Sequence, residues 1–134
     1  FNVYSADQLY GGAYSTVIAA WMEMLRRESP LIIEGDGTQT RDFIHIDDII
    51  DVNIFSMNCE QQFKGATYDV GTGEETSLNK LKNYINLIKH PEWRIVPERT
   101  GDIKFSKADT SGLKSLGWTA QVDIKNGLKR CFGD

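Results

Sequence analysis

The chain has 134 residues, 40% of them hydrophobic and 25% charged, with 12 Gly and 3 Pro. That is enough for one compact domain around a hydrophobic core, and it excludes disorder, a collagen-like repeat and a membrane span. Fifteen basic against 19 acidic residues give a formal charge of −4. A mildly acidic chain is a poor polyanion binder, so no nucleic-acid partner is expected and any phosphate must be held by a few placed cations. Cys59 and Cys131 lie far apart without a CxxC and read as free thiols of a reducing, cytoplasmic compartment.

In chain order, Phe1-Asn2-Val3-Tyr4 predicts a strand and the polar, Gly-containing stretch 7–12 a loop. Ser15 or Thr16 caps a helix whose Val17, Ile18, Trp21, Met24 and Leu25 recur at helical spacing, and Pro30 stops it. Leu31-Ile32-Ile33 is a short strand closed by the turn Gly35-Asp36-Gly37, and residues 42–46 alternate as another. Asp47 is read as the cap of a helix to about Asn58 with Ile50, Ile54 and Met57 on its apolar side. Residues 66–70 predict a strand, and Ser77 caps a helix carrying Leu78, Leu81, Ile85 and Ile88. A strand at 93–97, a short helix at 110–116 stopped by Gly117 and a last helix at 124–132 complete an alternation that defines the α/β class.

Gly71-Thr72-Gly73 follows a predicted strand and precedes a helix, the setting of a dinucleotide loop. The third glycine is missing, Thr76 standing in its place, and Glu74 and Glu75 would repel a pyrophosphate; the spacing therefore describes a tight turn. No Tyr is followed four residues later by Lys, so neither a cofactor loop nor a Tyr/Lys proton-transfer pair is present, and no catalytic residue is assigned. His45, between Ile44 and Ile46, reads as a buried, satisfied strand residue; His90 precedes Pro91, and no metal site is expected. Arg41, after the Gly turn, and Arg99, before Thr100-Gly101-Asp102, are able to present their planar forks to a phosphate. Spacing alone leaves surface ion pairs open for both.

Five phrases occur in order: Phe1-Asn2-Val3-Tyr4; Gly12-Ala13-Tyr14-Ser15-Thr16-Val17-Ile18; Gly35-Asp36-Gly37-Thr38-Gln39-Thr40-Arg41-Asp42-Phe43-Ile44-His45-Ile46-Asp47-Asp48; Asp69-Val70-Gly71-Thr72-Gly73-Glu74-Glu75-Thr76-Ser77; and Arg99-Thr100-Gly101-Asp102. Together they resemble the C-terminal portion of extended short-chain dehydrogenases/reductases, the NAD-dependent nucleotide-sugar epimerase and dehydratase family, with the UDP-glucose/UDP-N-acetylglucosamine 4-epimerases most alike. The resemblance implies a single substrate-binding domain over 1–134, a Rossmann-like fold with most of the NAD-binding parallel sheet outside this chain, and NAD held by an N-terminal domain rather than by these residues. It implies that Asn2 bonds the substrate diphosphate, that Thr16 and Val17 start a helix beside the nucleotide, and that the strand at Ile32 offers its backbone to the base. Arg41 and Arg99 would clamp the diphosphate, and Asp102 would take a ribose hydroxyl. Ser106, seven residues after Arg99, would line the sugar pocket and leave room for an N-acetyl group. Where the family commonly continues Gly-Pro-Arg-Gln after Asn-Val-Tyr, this chain has Ser5-Ala6-Asp7-Gln8.

The implied partner is a nucleotide sugar, UDP-linked by the nearest resemblance. Alternatives on the same scaffold are a nucleotide-sugar 4,6-dehydratase, a decarboxylase or an ADP-heptose-type epimerase, and outside it a non-catalytic binding module. A chain that opens within a strand is expected to be part of a longer protein, inactive alone, with apolar surface that favours self-association near Phe1.

Overall fold

Caps and apolar stripes set the helices. In the computed structural model, which describes residues 1–11 and 15–133, the chain runs β1 (Asn2–Tyr4), α1 (Val17–Arg26), β2 (Leu31–Glu34), β3 (Thr40–Arg41), β4 (Phe43–His45) and α2 (Ile46–Asn58). It continues through β5 (Thr76–Ser77), α3 (Leu78–Asn86), β6 (Trp93–Val96), α4 (Ser111–Ser115) and α5 (Ile124–Phe132). The Gly12-Ala13-Tyr14 part of the second phrase lies outside the described residues. Thr16 Oγ1 accepts the Ala19 N–H, Ser77 Oγ the Lys80 N–H and an Asp123 carboxylate oxygen the Asn126 N–H, each filling an otherwise orphaned donor of a first turn. α1 ends where Glu28 takes a left-handed φ of 53° and the Ser29 N–H reaches back to the Met24 carbonyl.

Among the described residues the strands form three two-stranded sheets. β1 pairs with β4 in parallel (Val3 opposite Ile44), β2 with β6 in parallel (Leu31 opposite Trp93), and β3 with β5 antiparallel (Arg41 opposite Thr76). β4 separates two cores. Phe43 faces a large cluster built from Ile18, Trp21, Leu31, Leu81, Ile85 and Leu128, while Ile44 faces a smaller one with Val52, Leu113 and Trp118. Successive strand residues point to opposite faces, and both faces are covered here, so all three β4 residues are buried instead of alternating with solvent.

Three expectations are corrected. Residues 66–70 form no strand: Tyr68 and Val70 do turn toward the smaller core, but no ladder partner lies beside them among the described residues. The cap of α2 is His45, with Asp47 in the first turn. The apolar residues named for α2 sit on its outer side, Ile50 and Ile54 each 53% exposed and Met57 85%. The buried side carries Val52 and Asp48, with Ile49 and Phe55 half-buried. Asp48 is drawn inward because its carboxylate accepts the Gln121 and Val122 N–H groups at 2.8 and 3.1 Å, hydrogen bonds that offset its burial. No helix among the described residues is long and apolar enough to cross a membrane.

Candidate functional site

A cleft of about 630 Å³ opens between the N-terminus of α1, the edge of β2 turned away from β6 and the loop after β6. Thr16 and Val17 form one wall, with Trp21 in its floor. Ile32 and Glu34 line the strand side, because the odd residues of β2 are turned to β6: Leu31 donates to the Glu92 carbonyl and Gly35 to that of Val96. The Ile32 carbonyl, pointing the other way, accepts the Trp21 indole N–H at 2.7 Å. Asn2, Arg41, Arg99 and Asp102 complete the cleft. Of the eight residues singled out from the sequence, seven therefore line one cavity; Ser106, half-buried in the segment that leads to α4, is not among its lining residues.

The turn Gly35-Asp36-Gly37 aims the chain from β2 into β3. Gly35 and Gly37 take φ of 77° and 75°, a region open to glycine, and the Asp36 carboxylate accepts the Thr38 N–H at 2.9 Å. The turn delivers Arg41 to the cleft mouth, where Nη2 meets Asp102 Oδ1 at 2.7 Å and Nη1 donates to the Thr40 carbonyl at 2.7 Å. The Arg41 side chain is 19% exposed. Arg99 is 73% exposed and its Nη2 lies 2.9 Å from Glu34 Oε1. The Glu34 hydrogen bond, then its charge, raises the Arg99 guanidinium above its ordinary range. Both arginines line the cleft and carry planar donor forks.

Gly71-Thr72-Gly73 does form a turn, and its donors are already used. The Asp42 carboxylate, fully buried, accepts Thr72 N–H (2.9 Å), Thr72 Oγ1 (2.6 Å), Gly73 N–H (2.8 Å) and Ala108 N–H (3.1 Å). A side chain at Gly71 would collide with Ala108 and with that carboxylate. An internal anion thus occupies the amides that a dinucleotide pyrophosphate would need, and the turn does not fit NAD. Asn2 is bound to the same hub, its backbone and side-chain N–H groups donating to the Asp42 carbonyl at 3.0 and 3.3 Å.

The sequence reading missed Glu34, Gln39 and Trp21 as cleft residues. Gln39 is buried and its Nε2 holds the Glu34 carbonyl at 2.7 Å. A polar residue at the start of a strand, between a Gly turn and an Arg, is the available signal for it. Trp21 was counted among the apolar stripe of α1, which it joins; only its indole N–H shows the second role.

His45 is buried, stacked edge-on against Tyr4, and its Nδ1 accepts the Asp47 N–H at 3.2 Å. Burial lowers its pKa from the ordinary 6.5, outweighing the opposing pull of Asp47, so the ring is the neutral acceptor and its 3.5 Å approach to the Asp47 carboxylate is no ion pair at neutral pH. Because the folded value is depressed, the unfolded chain takes up a proton first as pH falls below 6.5. Stability is expected to be fully present above that pH and to decline below it, toward the folded value. Denaturant titrations at several pH values should show this slope in the wild type and lose it in His45→Asn, which keeps a cap without titrating. An unchanged slope in the variant would assign the pH dependence elsewhere. Among the described residues no cluster of three or more His, Cys, Asp or Glu is placed to hold a metal ion, and Cys59 and Cys131 are free.

Comparison with known proteins places this geometry in a family. The NAD dependent epimerase/dehydratase family matches residues 1–71. A putative UDP-glucose 4-epimerase of Methanocaldococcus jannaschii is 34% identical over 134 residues, covering 96% of this chain and 41% of that protein. The UDP-glucose 4-epimerase of Thermotoga maritima, solved with UDP-glucose, superposes with a TM-score of 0.82 at 31% identity over 98% of this chain and 42% of its own. A UDP-N-acetylglucosamine 4-epimerase of Methanobrevibacter ruminantium, in complex with UDP-N-acetylmuramic acid, gives 0.84 at 29% over 98% and 42%. The chain belongs to the NAD-dependent epimerase/dehydratase family and has the α/β fold of the C-terminal part of its extended short-chain members. It spans about two fifths of the length of these relatives.

Proposed function

We propose that residues 1–134 are the substrate-binding part of an NAD-dependent nucleotide-sugar epimerase, acting on a UDP-hexose or UDP-N-acetylhexosamine at C4. The observation that carries this reading is the convergence of Arg41, Arg99 and Asp102 with the α1 N-terminus and the β2 edge in one cleft. Phosphate needs charge-assisted donors, a ribose diol needs a carboxylate acceptor and a base edge needs backbone groups; the cleft supplies all three. In this reading Arg41 and Arg99 clamp the diphosphate with Asn2 beside them, Asp102 takes a ribose hydroxyl, and Ile32 meets the base next to Thr16 and Val17. NAD supplies hydride transfer in the complete enzyme and is held by residues outside 1–134. This chain contributes orientation and binding energy to the nucleotide and carries no proton-transfer group of its own.

Calorimetric titration of the complete polypeptide and of the 134-residue chain with UDP, UDP-glucose, UDP-N-acetylglucosamine and NAD tests the reading. The complete protein should bind all four, and the isolated chain should show no tight NAD binding and no turnover. Failure of the complete protein to bind any UDP-sugar, or turnover by the isolated chain, would overturn it. Ser106 lies outside the residues that line the described cleft, and the proposal places the sugar beside it, past the diphosphate. A small side chain there leaves space for an acetamido group, so Ser106→Tyr should lose N-acetylhexosamine substrates selectively. Equal losses for both sugar classes, or none, would remove Ser106 from the pocket.

A further inference from the structure

The two cleft arginines are not held alike. Arg41 is fixed twice, by Asp102 and by the Thr40 carbonyl, and is largely shielded. Arg99 is mostly solvent-exposed, and among the described residues its hydrogen-bonded partner is Glu34. Glu34 is the last residue of β2, and its backbone is anchored: the carbonyl is held by Gln39 Nε2, and the preceding residues pair with β6. The carboxylate thus lies in the cleft wall on an anchored backbone, with side-chain torsions between the two. A carboxylate on a guanidinium makes the same charge-assisted contact as a phosphate oxygen, so Glu34 stands where a ligand phosphate would bind Arg99.

We infer that Glu34 is a displaceable counter-anion of the cleft: it occupies Arg99 when the site is empty, must leave when a nucleoside diphosphate arrives, and recaptures the arginine on release. The inference rests on the cleft being a nucleoside-diphosphate site. Its consequence is a deliberate weakening of diphosphate binding. Exposed ion pairs break easily, so Glu34 does not close the site; it subtracts binding energy that ground state and transition state would share equally, which adds nothing to turnover and slows product release.

The test is Glu34→Gln in the complete polypeptide, titrated with UDP and with uridine, and repeated in an Arg99→Ala background. Glutamine keeps the shape and removes the charge. UDP affinity is expected to rise about two- to fivefold, the worth of one exposed ion pair. Uridine, which brings no phosphate to Arg99, should bind as before, and the gain should vanish when Arg99 is alanine. Weaker or unchanged UDP binding overturns the inference, the former by making Glu34 a direct ligand contact. An equal gain for uridine overturns it by showing a change in the nucleoside contacts, and a gain that survives Arg99→Ala overturns it by showing a general field effect. The two readings separate in the controls: a wild type that ignores UDP removes the nucleotide cleft and the inference together, whereas UDP binding that weakens in Arg99→Ala but ignores Glu34→Gln removes only the inference.

Discussion

Asp42→Ala is expected to destabilise the protein by about 3–5 kcal/mol, because several donors lose one shared acceptor at once. The residue is 0% exposed and its carboxylate accepts from Thr72, Gly73 and Ala108, joining the end of β3 to two loops. Alanine leaves three backbone N–H groups and one hydroxyl without their acceptor, each stranded donor costing about 1–3 kcal/mol where water cannot reach. Folding margins are about 5–15 kcal/mol, so the variant should sit near the edge of foldedness. Urea denaturation followed by circular dichroism measures it. A loss below about 1 kcal/mol would mean that water replaces the carboxylate without penalty.

Arg41→Ala should weaken UDP-sugar binding by the complete protein about ten- to a hundredfold and leave NAD binding unchanged. Two effects add. The ligand loses a bidentate donor, and Asp102 loses its 2.7 Å partner beside the incoming phosphates, with Arg99 and Lys104 left to offset it. Arg99→Ala should cost less, since that guanidinium is exposed and already shared with Glu34. Arg41→Lys should recover part of the loss, because an ammonium restores charge without the planar fork. Calorimetry with UDP-glucose and with NAD decides; unchanged UDP-sugar affinity in both alanine variants would leave two structural ion pairs and no clamp.

Much of the fold was legible because caps and stripes are local. Thr16, Ser77 and Pro30 marked helix ends that the structure reproduces, and the Leu78, Leu81, Ile85 stripe of α3 is the buried one. The α2 stripe misled for a physical reason: the helix carries apolar residues on two sides, and which side is buried depends on where residues 113–122 lie, a fact absent from the helix's own sequence. The two-residue ladder of β3 with β5 left no periodicity to detect. In the site, motifs and the resemblance they carry named Arg41, Arg99 and Asp102, and the structure brings the three to one cleft. Glu34 was not, because its role depends on a partner 65 residues away.

That separation is general in the cleft. Arg41 reaches Asp102 across 61 residues, Glu34 reaches Arg99 across 65, and Asp42 reaches Ala108 across 66. Closing such loops costs chain entropy, though each doubling of length adds only about 0.6 kcal/mol. The cleft is complete only where the ends of β2 and β6 lie side by side. On the proposed function, a nucleotide would bind the finished fold and almost nothing before it. At a hundredfold excess over its dissociation constant it would raise stability by about 2.7 kcal/mol, so that occupancy itself guards the protein against unfolding.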